Sequence, residues 1–349
     1  MHPYETAAPQ AFWAKAVADP QGENLTGLFS PKFPLGPEDR IGTAGSCFAQ
    51  HIGRALSRAG VPIVITEASP PFLTQDQAAQ FGFGLYSCRY GNIYTPRQMA
   101  QLLVEALNPS PPQAPIWCKN NRYYDAMRPN IEPEGLETTQ ELLLHRAEHL
   151  AAIRAMLGQI TTFVFTLGLT EGWCDLATGR TLPLCPGVIA GDYSPQTTAF
   201  QNFRYPEILA DLAAIRDLLH QVNPAIRLLL TVSPVPLTAT ASGNHVLAAT
   251  TQSKASLRAA AGDFAAAHAD VDYFPSYEII TSPAARGQCY EPNLRQVRAS
   301  GVARVMACFL AAYGLADAPE RIAQPQTAAD GDGSAELICE EQLLDAFSK

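Results

Sequence analysis

Thr161-Thr162-Phe163-Val164-Phe165-Thr166-Leu167 is a seven-residue run without a charge, and Phe163, Val164, Phe165 and Leu167 leave it no polar face. A strand with one side in water alternates apolar and polar residues. A strand without a polar side is covered on both, as in the middle of a parallel sheet. Further apolar runs at 40–45, 61–66, 226–233 and 271–275 predict its neighbours. Helical spacing predicts helices over 48–59, 96–107, 139–157, 205–222, 246–267 and 301–313. Strands separated by helices predict an α/β fold, a parallel sheet with helices on both faces.

Two stretches break the alternation. One, 69–117, is rich in Pro, Gly and aromatic residues; the other, 174–204, holds Gly179, Gly187 and Gly191 with three prolines. Long connections in α/β proteins build ligand sites and their covers, or are plain surface irregularity. Residues 316–334, rich in Ala, Pro, Asp and Gly, read as a linker before a short amphipathic helix at 336–347. The expected organisation is an N-terminal extension over 1–33, a main domain over 34–314, and an acidic linker with a short helix over 315–349.

The 349 residues are 47% hydrophobic and 16% charged, enough for a sizeable core. The net charge of -9 argues against a general nucleic-acid binder, which needs clustered Lys and Arg. Two-thirds of that charge lies in 315–349, which carries eight acids and two bases. The body is nearly neutral, so acidity says nothing about its ligand. The acidic end reads as a solvated terminus or, alternatively, as a contact for another protein. No basic leader precedes an apolar run at the start, and apolar runs elsewhere stop well short of a membrane span. A cytoplasmic location is expected. The eight cysteines show no CxxC pair and no His–Cys cluster at zinc spacing, so no metal and no cofactor are expected.

The sharpest local feature is Gly45-Ser46-Cys47-Phe48-Ala49, between a predicted strand and a predicted helix. Such a turn lifts a side chain above the sheet edge, beside the N–H groups of a helix N-terminus. That setting favours a thiolate or alkoxide and can hold an oxyanion. The plainer alternative is a tight turn of small residues under a helix.

The pentapeptide spells the name of the GSCFA-domain family, and the chain resembles that family, placed with the SGNH/GDSL-type hydrolases. Four further segments fit: Ser87-Cys88-Arg89-Tyr90-Gly91-Asn92-Ile93-Tyr94, Thr166-Leu167-Gly168-Leu169-Thr170-Glu171-Gly172-Trp173, Thr231-Val232-Ser233-Pro234-Val235 and Gln252-Ser253-Lys254. Together they span about 34–310. The resemblance implies a flavodoxin-like three-layer α/β/α sandwich and ester hydrolysis or acyl transfer through an acyl-enzyme.

Laid on the superfamily's Gly-Asp-Ser block, Cys47 takes the nucleophile position; a shift of one residue gives it to Ser46. Cys47 is preferred, because Phe48 then matches the usual apolar residue. Gly91 and Asn92 match the oxyanion-hole block. Gly168-Leu169-Thr170-Glu171 overlays Gly-x-Asn-Asp/Glu, putting Thr170 where an amide would donate; Glu171 reads equally as a first-turn helix acid. Counting back from Gly301, Asn293-Leu294-Arg295-Gln296 occupies the Asp-x-x-His block, and neither amide is a general base.

Another base is therefore required. His245, in a loop after the 226–233 strand, is the first candidate, since such loops frame the crevice. His51, four residues past Cys47, is the second. His145, His149 and His220 fall on polar helix faces and receive no role. Arg89, Lys254 and Arg258 are candidates for holding an anionic substrate group, the last two sharing a helix face at i, i+4. The expected partner is a small-molecule, glycan-linked or lipid-linked acyl substrate. Loss of the Asp-x-x-His pair also fits a non-catalytic module that binds such a ligand.

Overall fold

Along the chain run β1 (Ile41–Gly45), α1 (Ala49–Arg58), α2 (Gln75–Gln80), α3 (Pro96–Leu107), β2 (Ile116–Lys119), β3 (Arg122–Asp125) and α4 (Thr139–Leu157). They are followed by β4 (Thr162–Leu167), β5 (Glu171–Asp175), β6 (Arg180–Leu182), β7 (Thr198–Asn202) and α5 (Tyr205–Val222). The series closes with β8 (Arg227–Val232), α6 (Val246–Ala267), β9 (Val271–Phe274), α7 (Ser276–Thr281) and α8 (Ala299–Ala312). The computed structural model describes residues 2–19, 25, 27–108, 110, 114–316 and 340–347.

The main sheet has the order β1-β4-β8-β9 and every pair is parallel. The run predicted at 61–66 lies against the free edge of β1 but makes one parallel bridge, Ile41 to Ile63. Pro62 supplies a carbonyl to the Ile41 N–H and has no N–H of its own to extend the ladder. β4 sits in the interior, and its six residues are all buried. Phe163, Phe165 and Leu167 pack with α3, α4, α5 and α6, whereas Val164 packs on the opposite side with α1, α7 and α8. The protein is therefore a three-layer α/β/α sandwich. Its central strand is apolar on both sides because both sides carry helices.

The two irregular stretches contain order that apolar spacing did not reveal. β2 and β3 form a hairpin whose turn, Asn120-Asn121, has φ of 52° and 59°. Asn tolerates that left-handed pair better than most residues, and a two-residue loop of this kind matches the twist of the strands. The stretch 174–204 folds with Glu171 into a second, antiparallel sheet of order β6-β5-β7. At the far end, Glu340–Phe347 forms a 3-10 helix rather than an α-helix. The linker expected at 316–334 lies, from 317 onward, outside the described residues, as do residues 336–339 of the expected helix. Among the described residues no helix is long and apolar enough to cross a membrane.

Candidate active site

β1 ends on Gly45 beside Thr166 of β4. Its φ is +134°, and a Cβ there would lie 2.3 Å from the Thr166 carbonyl oxygen. Both the backbone angle and the close approach require glycine. Gly45→Ala should destabilise the fold by about 2–3 kcal/mol, visible as a lower urea midpoint at unchanged slope.

The chain then turns sharply. The Ser46 N–H donates to Thr166 O at 3.1 Å, and the Ser46 carbonyl accepts from the Ala49 N–H at 2.9 Å, starting α1. Ser46 and Cys47 are each only 3% exposed. The Ser46 Oγ is buried and has no hydrogen-bond partner. A buried polar atom without a partner costs about 1–3 kcal/mol and calls for a reason.

The ends of β1 and β4 meet a loop and a helix at this turn. The 87–94 loop is tied to β1 by the Ile93 N–H, which donates to Gly45 O at 2.9 Å. It is tied to β4 through the Tyr94 carbonyl, which accepts the N–H groups of Gly168 and Leu169. Gly168 touches Ser46 so closely that an added Cβ would lie 3.2 Å from the Ser46 Cβ and 3.0 Å from Tyr94 O. Lys254 of α6, 2% exposed, reaches in from the other side and donates an N–H from Nζ to the Gly168 carbonyl. Its neighbour Ser253 accepts the Thr170 N–H at 2.9 Å. Gly91, with φ +68°, lets the loop turn toward β1. Asn92 is buried, and its Oδ1 accepts from the Tyr86 hydroxyl, which fixes the donor end of the amide. The Gln50 amide of α1 in turn donates to that hydroxyl at 3.4 Å.

The GSCFA family model matches residues 40–309, more than three-quarters of the chain. The chain belongs to the GSCFA family. No curated protein matches it. In this GSCFA chain the Gly45–Ser46 turn, the 87–94 loop, the segment after β4 and the Gln252-Ser253-Lys254 segment meet in one place.

Other residues singled out in the sequence lie elsewhere or are otherwise engaged. The Thr170 hydroxyl donates to Asn202 Oδ1 at 2.7 Å, so its proton is already committed. Glu171 opens β5 and is not a first-turn helix acid. It is 9% exposed, accepts from Thr240 Oγ1 at 2.7 Å, and burial raises its pKa. His245 is exposed at the N-cap of α6, its Nδ1 accepting the Leu247 N–H. Nine residues separate it from Lys254, about 13 Å of helix axis. His51 packs edge-on against Phe48, and burial, helped by Arg54, lowers its pKa to about 4.

The three proposed anion holders do not form a group. Arg89 donates to Phe81 O and Ile131 O, pairs with Glu132 at 2.9 Å and stacks on Phe83. Arg258 pairs with Glu278 and lies 4.1 Å from the centre of the Tyr273 ring. Each guanidinium is held by the protein itself, at a different place; only Lys254 joins the Ser46 turn. Asn293 and Gln296 bond to each other at 2.9 Å in an exposed turn.

One expectation about histidines is overturned. His149, assigned to a polar helix face, is fully buried and bonds Glu67 Oε2 through Nδ1 at 2.7 Å. The face of α4 that carries it is polar because it meets other buried charges, not water.

Proposed function

We propose that the protein cleaves or transfers an acyl group through a covalent acyl-enzyme on Ser46, as an SGNH-like member of its family. The observation that carries this reading is the buried, unpartnered Ser46 Oγ beside Gly168, whose carbonyl holds the Lys254 side chain. In this reading the neutral Lys254 amine turns from the Gly168 carbonyl, its partner at rest, and accepts the Oγ proton as Oγ attacks an ester or thioester carbonyl. The Asn92 amide donates to the developing oxyanion, since the first N–H groups of α1, those of Ala49, Gln50 and His51, already donate to the Ser46, Cys47 and Phe48 carbonyls. Collapse breaks the bond to the leaving alcohol or thiol, which takes the proton from Lys254. Water or another hydroxyl then releases the acyl group by the same steps in reverse. A Ser–Lys pair supplies nucleophile and base without histidine.

This differs from the sequence reading at two positions. Cys47 gives way to Ser46, whose Cβ touches Gly168, and His245 gives way to Lys254. The test is incubation with p-nitrophenyl acetate, acid quench and intact-mass measurement, followed by peptide mapping. A 42 Da adduct on Ser46, the mass of acetyl replacing hydrogen, is the expected result (about 42 by atomic masses). An adduct on Cys47 returns the nucleophile to the thiol. No adduct at either, at concentrations that acylate ordinary serine esterases, favours the second reading. That reading is a binding module, and it draws support from the exposed, self-bonded Asn293 and Gln296 in the usual place of the base.

A further inference from the structure

A cavity of about 440 Å³ opens on the far side of Leu169, one residue beyond the Gly168 that touches Ser46. Its walls are the antiparallel sheet and the 237–241 segment. Trp173 forms the aromatic side, edge-on to Tyr193 at 5.6 Å and to Phe200 at 5.7 Å. Leu184 and Leu237 complete the apolar lining. Of the polar side chains in the lining, Glu171 accepts from Thr240 Oγ1, and burial raises the Glu171 pKa. The open edge is met by the chain's own C-terminal 3-10 helix, through Leu344 and Phe347.

We propose that this cavity receives the apolar chain of the acyl group, with the C-terminal helix as its cover. The proposal rests on the acyl-enzyme reading for the placement of the carbonyl. Volume and lining match an apolar small-molecule site, which buries its ligand among aromatic and aliphatic walls. A polar glycan would leave its hydroxyls facing Trp173, Leu184 and Phe200 without partners. A straight alkyl chain needs none. The occupant is thus a medium or long acyl chain, and the sugar or lipid remainder lies outside.

The full chain is titrated with dodecanoate and with butyrate, following tryptophan emission and calorimetry. Each buried methylene favours binding roughly fourfold, so dodecanoate should bind at least ~100-fold more tightly than butyrate. Phe200→Asp should weaken dodecanoate at least ~10-fold. Ala239→Trp, at an exposed position on the lining, fills the mouth without disturbing the core and should do the same. The double change Leu344→Asp with Phe347→Asp should speed dissociation of dodecanoate. Equal affinity for the two acids overturns the proposal, as does unchanged dodecanoate binding in Ala239→Trp. Dimerisation that the double change abolishes also overturns it, because the cavity then serves a second copy's C-terminus. Acetylation of Ser46 without dodecanoate binding removes only the chain-binding proposal. Dodecanoate binding without acylation removes only the catalytic reading.

Discussion

Ser46→Ala should lower turnover of p-nitrophenyl acetate by at least about 10³-fold while leaving the fold as stable as before or slightly more so. The first half follows from the role of a nucleophile: once it is gone, only binding and oxyanion stabilisation remain. The second half follows from the environment. Ser46 Oγ is buried without a partner, so its removal relieves a desolvated polar atom and leaves no other group unpaired. A gain of up to about 1 kcal/mol is expected in denaturant titration. Most core truncations lose stability, so this combination separates function from folding. Lys254→Met should lose turnover to a similar degree, but with a stability loss of about 1–3 kcal/mol, because the buried Gly168 carbonyl loses its donor. Cys47→Ala should keep turnover within a few-fold and cost about 1 kcal/mol as an ordinary buried thiol. If Cys47→Ala abolishes turnover and Ser46→Ala spares it, the thiol is the nucleophile and Lys254 serves it instead.

The fold was largely legible because its core obeys local periodicity. Helices α3, α4, α5 and α6 begin and end where apolar spacing and caps predict; Thr95, for example, caps α3 ahead of Pro96. β4 declared itself by lacking a polar face. The hairpin carries a local signal that apolar spacing does not register, Asn120-Asn121 between two short runs rich in aromatic residues. The β5–β7 sheet has a weaker signal, because its short strands mix polar and aromatic residues. The site was legible as a set of segments and obscure in its details. Motif overlay singled out Gly91, Asn92 and Gly168 and offered Cys47 ahead of Ser46 as nucleophile, but it could not say which of the two lies against Gly168. Nor could it tell a cation reaching into the site from one held at the surface. Lys254 and Arg258 share a helical spacing, yet one is buried and the other pairs with Glu278. That difference arises from β9 and α7, distant in sequence from the motif.

The largest stability effect is expected at Arg146, a residue that periodicity would assign to water. It is 1% exposed, and its guanidinium bonds Glu105 of α3 and, at 2.8 Å, Asp125 of β3. Arg128 bonds the same Asp125 at 3.0 Å and lies 3.9 Å from Glu67, which holds His149. These contacts bind the hairpin and two helices to the loop after the edge bridge. Arg146→Met keeps most of the packing volume but takes one of two arginines from each carboxylate, leaving Glu105 with Arg180 and Asp125 with Arg128, and should cost about 3 kcal/mol. The same network sets the response to acid. Burial opposes ionisation of Asp125 and Glu67, but Arg146 and Arg128 outweigh it at Asp125, and His149 with Arg128 does so at Glu67. Both carboxyls are held down to about 2. Their contribution is complete above their unfolded values near 4 and is lost as pH falls toward 2. Burial, with Arg128, lowers His149 to about 4, so below pH 6.5 the unfolded chain takes up a proton that the folded one refuses. Stability should therefore decline from pH 6.5 to 4 through His149 and His51, whose pKa burial also lowers to about 4, then further through the carboxylates. Thermal midpoints of wild type and His149→Gln between pH 7 and 3 test the assignment. The substitution should remove about half of the upper limb, His51 supplying the rest, and leave the lower one. An unchanged slope between pH 6.5 and 4 would move that limb to another histidine.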